Sequence, residues 1–362
     1  MPIKEYKTEI KNGTFEEPQI LEFEKRKSWI HSNETEIDDK YKILSLFSGS
    51  GGLDLGFLST GKFEIVLAND FNLQACNSYA HNIGNHIICD DIANIKDVPK
   101  VDLIVGGPPC QGFSTANPAR AFDDPRNQLF KEYARLIREN KPKMFLMENV
   151  SGMMTMKNGE VFKQIKKELS ECGYTLYDKL LNARDYGVPQ NRRRIIIVGV
   201  RNDIKDKFVF PKPTHTSENF SNIGDAIIKK SIKKDDVNHK IGKLTELNKE
   251  RLKHIPQGGS MKHCPEKLQN NSDLNRAMRR LDAEKESYTI VHNNCDHYYH
   301  PTENRRITIR EMARIQGYSD EYVFLGSKSE QSRQVGNSVP VGLGKVVAKE
   351  IYKFLNKIKE ND

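Results

Sequence analysis

The sequence predicts a doubly wound α/β domain joined to a second, smaller and irregular one. Three observations predict it. Short apolar runs are each bounded by Gly, Pro or charge, stretches of helical period lie between them, and a glycine-rich turn follows directly on the first run. The 362 residues also exceed one typical domain.

In chain order, residues 1–40 are polar, lack clear periodicity and hold 7 basic against 10 acidic side chains, which reads as an extension outside the core. From 41 to 206 the alternation is regular. Lys42–Phe47, Ile65–Ala68, Val101–Val105, Met144–Met147 and Ile195–Val198 read as buried strands of a mostly parallel sheet, because a strand covered on both faces is apolar throughout. Leu73–Asn82, Asn127–Glu139 and Val161–Cys172 read as helices between them. That register is lost after Val200. Residues 207–304 carry Pro211, Pro213, Pro256, Pro265, Pro301 and Gly258-Gly259 with weak helical signal, and read as the second domain. Helical pattern returns at Ile307–Gln316 and Leu343–Ile358, so residues 305–362 are expected to rejoin the first domain.

Composition bounds the function. The formal charge of +8 is compatible with a polyanionic partner, and residues 205–305 hold 19 basic against 14 acidic side chains, more than half of that excess. No apolar run nears the roughly 18 residues that span a bilayer. Met1–Glu5 opens no signal-peptide core, so a cytoplasmic protein without a membrane partner is expected. Cys76, Cys89, Cys110, Cys172, Cys264 and Cys295 are scattered, which suits a reduced compartment. Cys264 beside His263 and Cys295 near His297 lack any C-x-x-C pair, and no metal is expected.

Four segments carry chemistry. Phe47-Ser48-Gly49-Ser50-Gly51-Gly52-Leu53 is a turn whose glycines let backbone approach a ligand, though alone it could serve a dinucleotide or make a tight turn. At the following strand ends, Asp70 is placed to accept ribose hydroxyls, Phe71 to stack on adenine and Asp91-Ile92 to hold the adenine edge; together they point to a nucleoside-bearing cofactor. In Gly106-Gly107-Pro108-Pro109-Cys110-Gln111-Gly112-Phe113-Ser114, two prolines fix a loop that presents a thiol where α/β sheets bind ligands. Glu148-Asn149-Val150 ends an apolar run, where desolvation favours a protonated carboxyl. In Gln190-Asn191-Arg192-Arg193-Arg194, alternate Arg192 and Arg194 enter a strand on one side, with Arg193 on the surface.

These motifs, in this order, resemble those of the DNA (cytosine-5)-methyltransferase family, in its bacterial restriction–modification form, over nearly the whole chain after residue 40. Phe47–Gly52 resembles its cofactor loop, Pro108–Gln111 its nucleophile loop, Glu148–Val150 its acid motif and Gln190–Arg194 its Gln-x-Arg-x-Arg motif. Arg305–Gly317 resembles the helix before its final motif, and Gln334–Pro340 that motif. The resemblance implies a Rossmann-like S-adenosylmethionine-dependent methyltransferase fold. It implies donor contacts from Phe47, Gly49, Gly51, Gly52, Leu53, Asp70, Phe71, Asp91, Ile92, Gly107, Pro109, Leu129, Asn337 and Ser338. Asp70 stands where Glu is usual, and Phe71 where some members have Trp.

The implied chemistry is methylation of carbon 5 of a cytosine flipped out of double-stranded DNA. Cys110 would attack carbon 6, Glu148 would serve ring nitrogen 3, and Arg192 and Arg194 would orient the base and stabilise its oxygen. Gln111 and Ser114 would face the DNA. In the variable segment, Lys262, Arg276, Arg279 and Arg280 are candidate phosphate contacts. Gln257, Gly258, Gly259, His292, Asn293 and Asn294 are candidate base contacts. A monomer is expected, alongside a cognate restriction endonuclease that acts on the same site without stable contact. Methylation of cytosine in transfer RNA, and a non-catalytic DNA-binding relative, stay open. The opening loop lacks the G-x-G-x-x-G register of a nicotinamide enzyme.

Overall fold

The computed structural model describes residues 40–96, 98–109, 128–269, 274–275, 277–291 and 298–361. They fall into two compact units, one within Met1–Leu181, Arg193–Lys212 and Gly344–Asp362, the other within Asn182–Arg192 and Pro213–Leu343.

The first unit is built on a seven-stranded sheet in the order β3-β2-β1-β4-β5-β7-β6. The strands are β1 (Tyr41–Leu46), β2 (Phe63–Asp70), β3 (Ile87–Cys89), β4 (Leu103–Gly106), β5 (Met144–Val150), β6 (Tyr174–Asn182) and β7 (Arg193–Arg201). Helices α1 (Gly52–Leu58), α2 (Leu73–Asn82), α3 (Gln128–Asn140) and α4 (Glu160–Glu171) alternate with them. β1 to β5 run parallel, and β7 returns antiparallel to β5.

Burial explains the apolar runs. Every residue of β4, and all of β5 except Val150, is buried, so no polar alternation can survive there. Leu44, Leu46, Ile104, Phe130, Phe145, Ile195 and Ile197 belong to one core cluster. Each such side chain stabilises the unit by about 1.5–3 kcal/mol. The closing helix α8 (Val341–Asn361) adds Tyr352 edge-on to Tyr41 and Phe354 against Phe208.

Two features of this sheet position the site. Strand order reverses on either side of β1, and α/β sheets take ligands at the carboxyl ends beside such a reversal. Because β7 is antiparallel, its first residues reach that same edge: Val150 pairs with Arg194, and Glu148 with Ile196. Arg194 and Glu148 therefore share a face.

The second unit holds α5 (Glu246–His254), α6 (Ile309–Ile315), α7 (Lys328–Asn337) and the two-residue strands β8 (Arg279–Arg280) and β9 (Tyr298–Tyr299). Leu252, Ile255, Met261, Cys264, Met278 and Tyr299 form a small core. With little regular structure, its carbonyls need other donors. Buried arginines supply them. Arg310 donates to Asp236 and to the carbonyls of Ser319 and Tyr322, and Arg314 to Asp320 and the carbonyls of Lys230 and Ser231. Among the described residues no helix is long and apolar enough to cross a membrane, and no three metal-ligating side chains gather.

Candidate active site

The chain leaves β1 into a turn with positive φ at Phe47 (54°), Gly49 (55°) and Gly51 (74°). Gly51 is doubly constrained, since a Cβ there would stand 2.2 Å from Ile83 Cδ1 and 3.0 Å from the Tyr79 ring. Gly52 and Leu53 open α1 and are buried.

Asp70, the last residue of β2, fastens this turn. Its Oδ2 accepts from Gly49 N (2.8 Å) and its Oδ1 from Asn72 N (2.8 Å). Burial pushes its carboxyl above the usual carboxylate range, and the amides of Asn72, Gly49 and Phe71 pull it back. With three amides on its four lone-pair sites, the carboxylate keeps one for a hydroxyl. Phe71 beside it is 70% exposed, an unusual position for a large apolar ring. Asp91 caps the short turn Ile92–Asn94 by accepting from Ala93 N (2.9 Å). Ile92 is 2% exposed and packs in the core, as does half-buried Leu129, so Ile92 has only backbone to offer a ligand.

These groups fit a nucleoside-bearing donor. Among the described residues, chain neighbours aside, no heavy atom lies within 4 Å of where a Cβ on Gly49 would stand, which leaves an open cradle beside an acid and an exposed aromatic face. Beneath the turn runs a polar chain that sequence reasoning missed. Ser48 Oγ donates to Ser45 Oγ (3.0 Å), Ser45 Oγ to Asp54 Oδ1 (2.7 Å), and Tyr79 OH to Asp54 Oδ2 (2.7 Å). Burial raises Asp54 to about 6 against the lowering effect of the Ser45 and Tyr79 bonds. The available signal was one acid inside the apolar run Leu53–Phe57.

At the end of β5, Glu148 is 9% exposed and its Oε1 lies 2.8 Å from Arg194 Nε. A Cβ on Gly107 would stand 3.1 Å from Glu148 Oε2, and Asn149 Nδ2 donates to Pro108 O (2.8 Å). Half-buried Pro109 follows. Both Glu148 and Asn149 thus touch the stretch that leads into Cys110. Asn149 had no expected role; its place between Glu148 and Val150 was the signal.

Cys110, Gln111, Ser114, Arg276, His292, Asn293 and Asn294 lie outside the described residues. The structure separates the two arginines expected on the base. Arg194 faces Glu148, whereas Arg192 is 1% exposed and donates to the carbonyls of Ile290 (2.8 Å), Gly336 (2.9 Å) and Ser338 (2.9 Å). Three carbonyls hold the Arg192 guanidinium inside the second unit. Gln190 works alongside, bonded to Ile290 N (3.0 Å) and Gln316 (3.1 Å). Arg193 is exposed, as expected.

The other expected residues of the second unit divide in the same way. Ser338 is buried, its hydroxyl 2.5 Å from Tyr318 OH, while Asn337 ends α7 exposed. Gln257, Gly258 and Lys262 are exposed, Gly259 is buried, and Gln257 Oε1 accepts from Ala283 N (3.0 Å). Arg280 is 5% exposed, with its terminal nitrogens on the carbonyls of Leu252, His300 and Glu303 and on Asn304 Oδ1. The Arg280 guanidinium is thus enclosed by acceptors of its own unit. Arg279 lies over the exposed Tyr288 ring, 4.3 Å from its centroid.

Comparisons with known proteins show the family. The family model for C-5 cytosine-specific DNA methylase matches residues 41–353. The chain is 38% identical to the Type II methyltransferase M.NgoFVII of Neisseria gonorrhoeae over 85% of this chain and 86% of that protein. It is 35% identical to the Type II methyltransferase M.Eco47II of Escherichia coli over 98% of this chain and 87% of that protein. Among solved structures, a prophage-encoded E. coli chain described as a DNA modification methyltransferase superposes with a TM-score of 0.69 at 26% identity. That match covers 88% of this chain and 100% of the other. The S. pombe Dnmt2 methyltransferase shares the fold, with a TM-score of 0.65 at 21% identity over 88% of this chain and 99% of that one.

Proposed function

The chain belongs to the C-5 cytosine-specific DNA methylase family, and on that premise we propose that it methylates a flipped-out cytosine in a specific duplex sequence through a covalent Cys110 adduct. Its likeness to named Type II methyltransferases supports a modification enzyme of a Type II restriction–modification system, acting on the same site as a cognate endonuclease.

Carbon 5 of cytosine is a weak nucleophile. A thiolate at Cys110 bonds to carbon 6, which breaks the ring's aromaticity and moves electron density to carbon 5. The Glu148 carboxyl hydrogen-bonds ring nitrogen 3 and offsets the charge that develops there. Arg194, 2.8 Å from Glu148, holds that carboxyl in place and is the arginine of the motif available to the base. S-adenosylmethionine, when bound, would supply the methyl group that carbon 5 takes, its sulfur–methyl bond breaking to leave S-adenosylhomocysteine. Water takes the proton from carbon 5, the sulfur–carbon bond breaks to return the Cys110 thiolate, and aromaticity returns. Asp70 and Phe71 hold the donor's nucleoside, while Asn149 keeps the Pro108-Pro109 turn against β5.

One observation carries this reading: Glu148 reaches Gly107 and Asn149 reaches Pro108, three and two residues before Cys110 in the chain. Incubation with labelled donor and a duplex carrying 5-fluorocytosine tests it. A covalent complex that survives denaturation, and is absent in Cys110→Ser, is expected. Labelling of transfer RNA alone, or of neither nucleic acid, would overturn it.

A further inference from the structure

Arg279 and Arg280 are neighbours with opposite fates. Arg280 is enclosed by acceptors of its own unit. Arg279 is half-buried, and two contacts fix its guanidinium: the carbon lies 4.3 Å from the centroid of the Tyr288 ring, and Nε donates to Asn275 O at 2.9 Å. The ring and the carbonyl restrain the guanidinium at two points, and Tyr288 is 47% exposed. Neither Nη1 nor Nη2 has an acceptor among the described residues. A planar two-pronged donor is thus held ready on the surface.

Resting on the reading of DNA methylation above, we propose that Arg279 reads one guanine of the recognised site through its N7 and O6 atoms in the major groove. Those two acceptors are coplanar and match the end of a guanidinium, and a fixed plane is what such a pair requires. A phosphate accepts a cation from many directions, so neither the contact with the Tyr288 ring nor the tether to Asn275 would improve a phosphate contact. A guanine is always present in such a site, because one pairs with the target cytosine.

Bisulfite sequencing of duplex DNA treated with the parent enzyme first locates the site. Each guanine in it is then replaced in turn by 7-deazaguanine, which lacks the N7 acceptor. At one position the parent should lose about tenfold or more in kcat/KM. Arg279→Lys and Arg279→Ala, already slower on the natural site, should show no further loss there and unchanged losses elsewhere. Tyr288→Ala, which frees the guanidinium without removing it, should shrink the loss at that same position. Equal penalties in parent and variants at every guanine would overturn the inference alone. So would an Arg279→Ala variant whose sole defect is a salt slope of DNA binding lower by about one, the mark of a lost phosphate contact. A parent that methylates no duplex would overturn both this inference and the reading beneath it.

Discussion

Arg194 Nε lies 2.8 Å from Glu148 Oε1, and each side chain is only about a tenth exposed. Water screens such a pair weakly, so removing either partner leaves a costly lone charge. Glu148→Gln should lower the single-turnover rate of methyl transfer by about 100-fold or more, the usual scale for losing a positioned acid. Arg194→Ala should lower that rate too, and should reduce stability by about 3 kcal/mol in urea unfolding. Arg194→Ala with parental stability would show that the pair is not a buried unit.

The two glycines of the opening turn should fail differently. At Gly51, a methyl group would meet Ile83 Cδ1 at 2.2 Å in a backbone that already has φ +74°. Clash and left-handed strain together should cost about 2–4 kcal/mol, seen as a lower melting temperature in Gly51→Ala. At Gly49 the same methyl, chain neighbours aside, meets nothing within 4 Å among the described residues, so only the strain of φ +55° remains, about 1 kcal/mol. That methyl would sit in the proposed donor cradle. Gly49→Ala should therefore raise the KM for S-adenosylmethionine with little loss of stability, a contrast read by setting donor titrations beside melting curves.

Arg192 and Arg280 should behave as struts of the second unit. Arg192→Lys leaves at least one of the carbonyls of Ile290, Gly336 and Ser338 without its charged donor, because an ammonium lacks the forked plane that spans them. Each buried acceptor left unmet costs about 1–3 kcal/mol. Both Arg192→Lys and Arg280→Lys should thus melt earlier, while the salt dependence of DNA binding stays parental. A shallower salt slope for Arg280→Lys at unchanged stability would return Arg280 to the DNA surface.

What could be read from the chain follows from burial. β1, β2, β4, β5 and β7 announced themselves because a strand covered on both faces is a continuous apolar run. β6 did not: at the sheet's edge, Tyr174–Asn182 is exposed at Thr175 and at Lys179-Leu180 and shows no such run. At the site, residue types at strand ends were legible, but partners were not. Arg194 meets Glu148 only because β7 returns antiparallel, a direction that no local pattern encodes. Arg279 and Arg280 read alike in the chain, yet one guanidinium is enclosed by carbonyls and the other lies on a tyrosine ring. Local sequence shows the charge and not what surrounds it.

Asp54 gives the proposed donor turn a pH-dependent footing. Its carboxyl is 1% exposed and takes hydrogen bonds from Ser45 and Tyr79, yet burial dominates and raises it from 3.8 to about 6. The folded protein therefore keeps this proton up to about pH 6, whereas an unfolded chain releases it near 3.8. Proton binding favours the folded state below that window, and its contribution is lost as pH rises through 6. A shift of this size corresponds to about 3 kcal/mol. Asp54→Asn cannot ionise and should not suffer the loss. The stability of Asp54→Asn relative to the parent should thus rise by up to about 3 kcal/mol between pH 4 and pH 7.5 in paired urea titrations. Every other titrating group is common to both proteins and cancels in the difference, so a flat difference would mean that water or a cation reaches the Asp54 carboxylate.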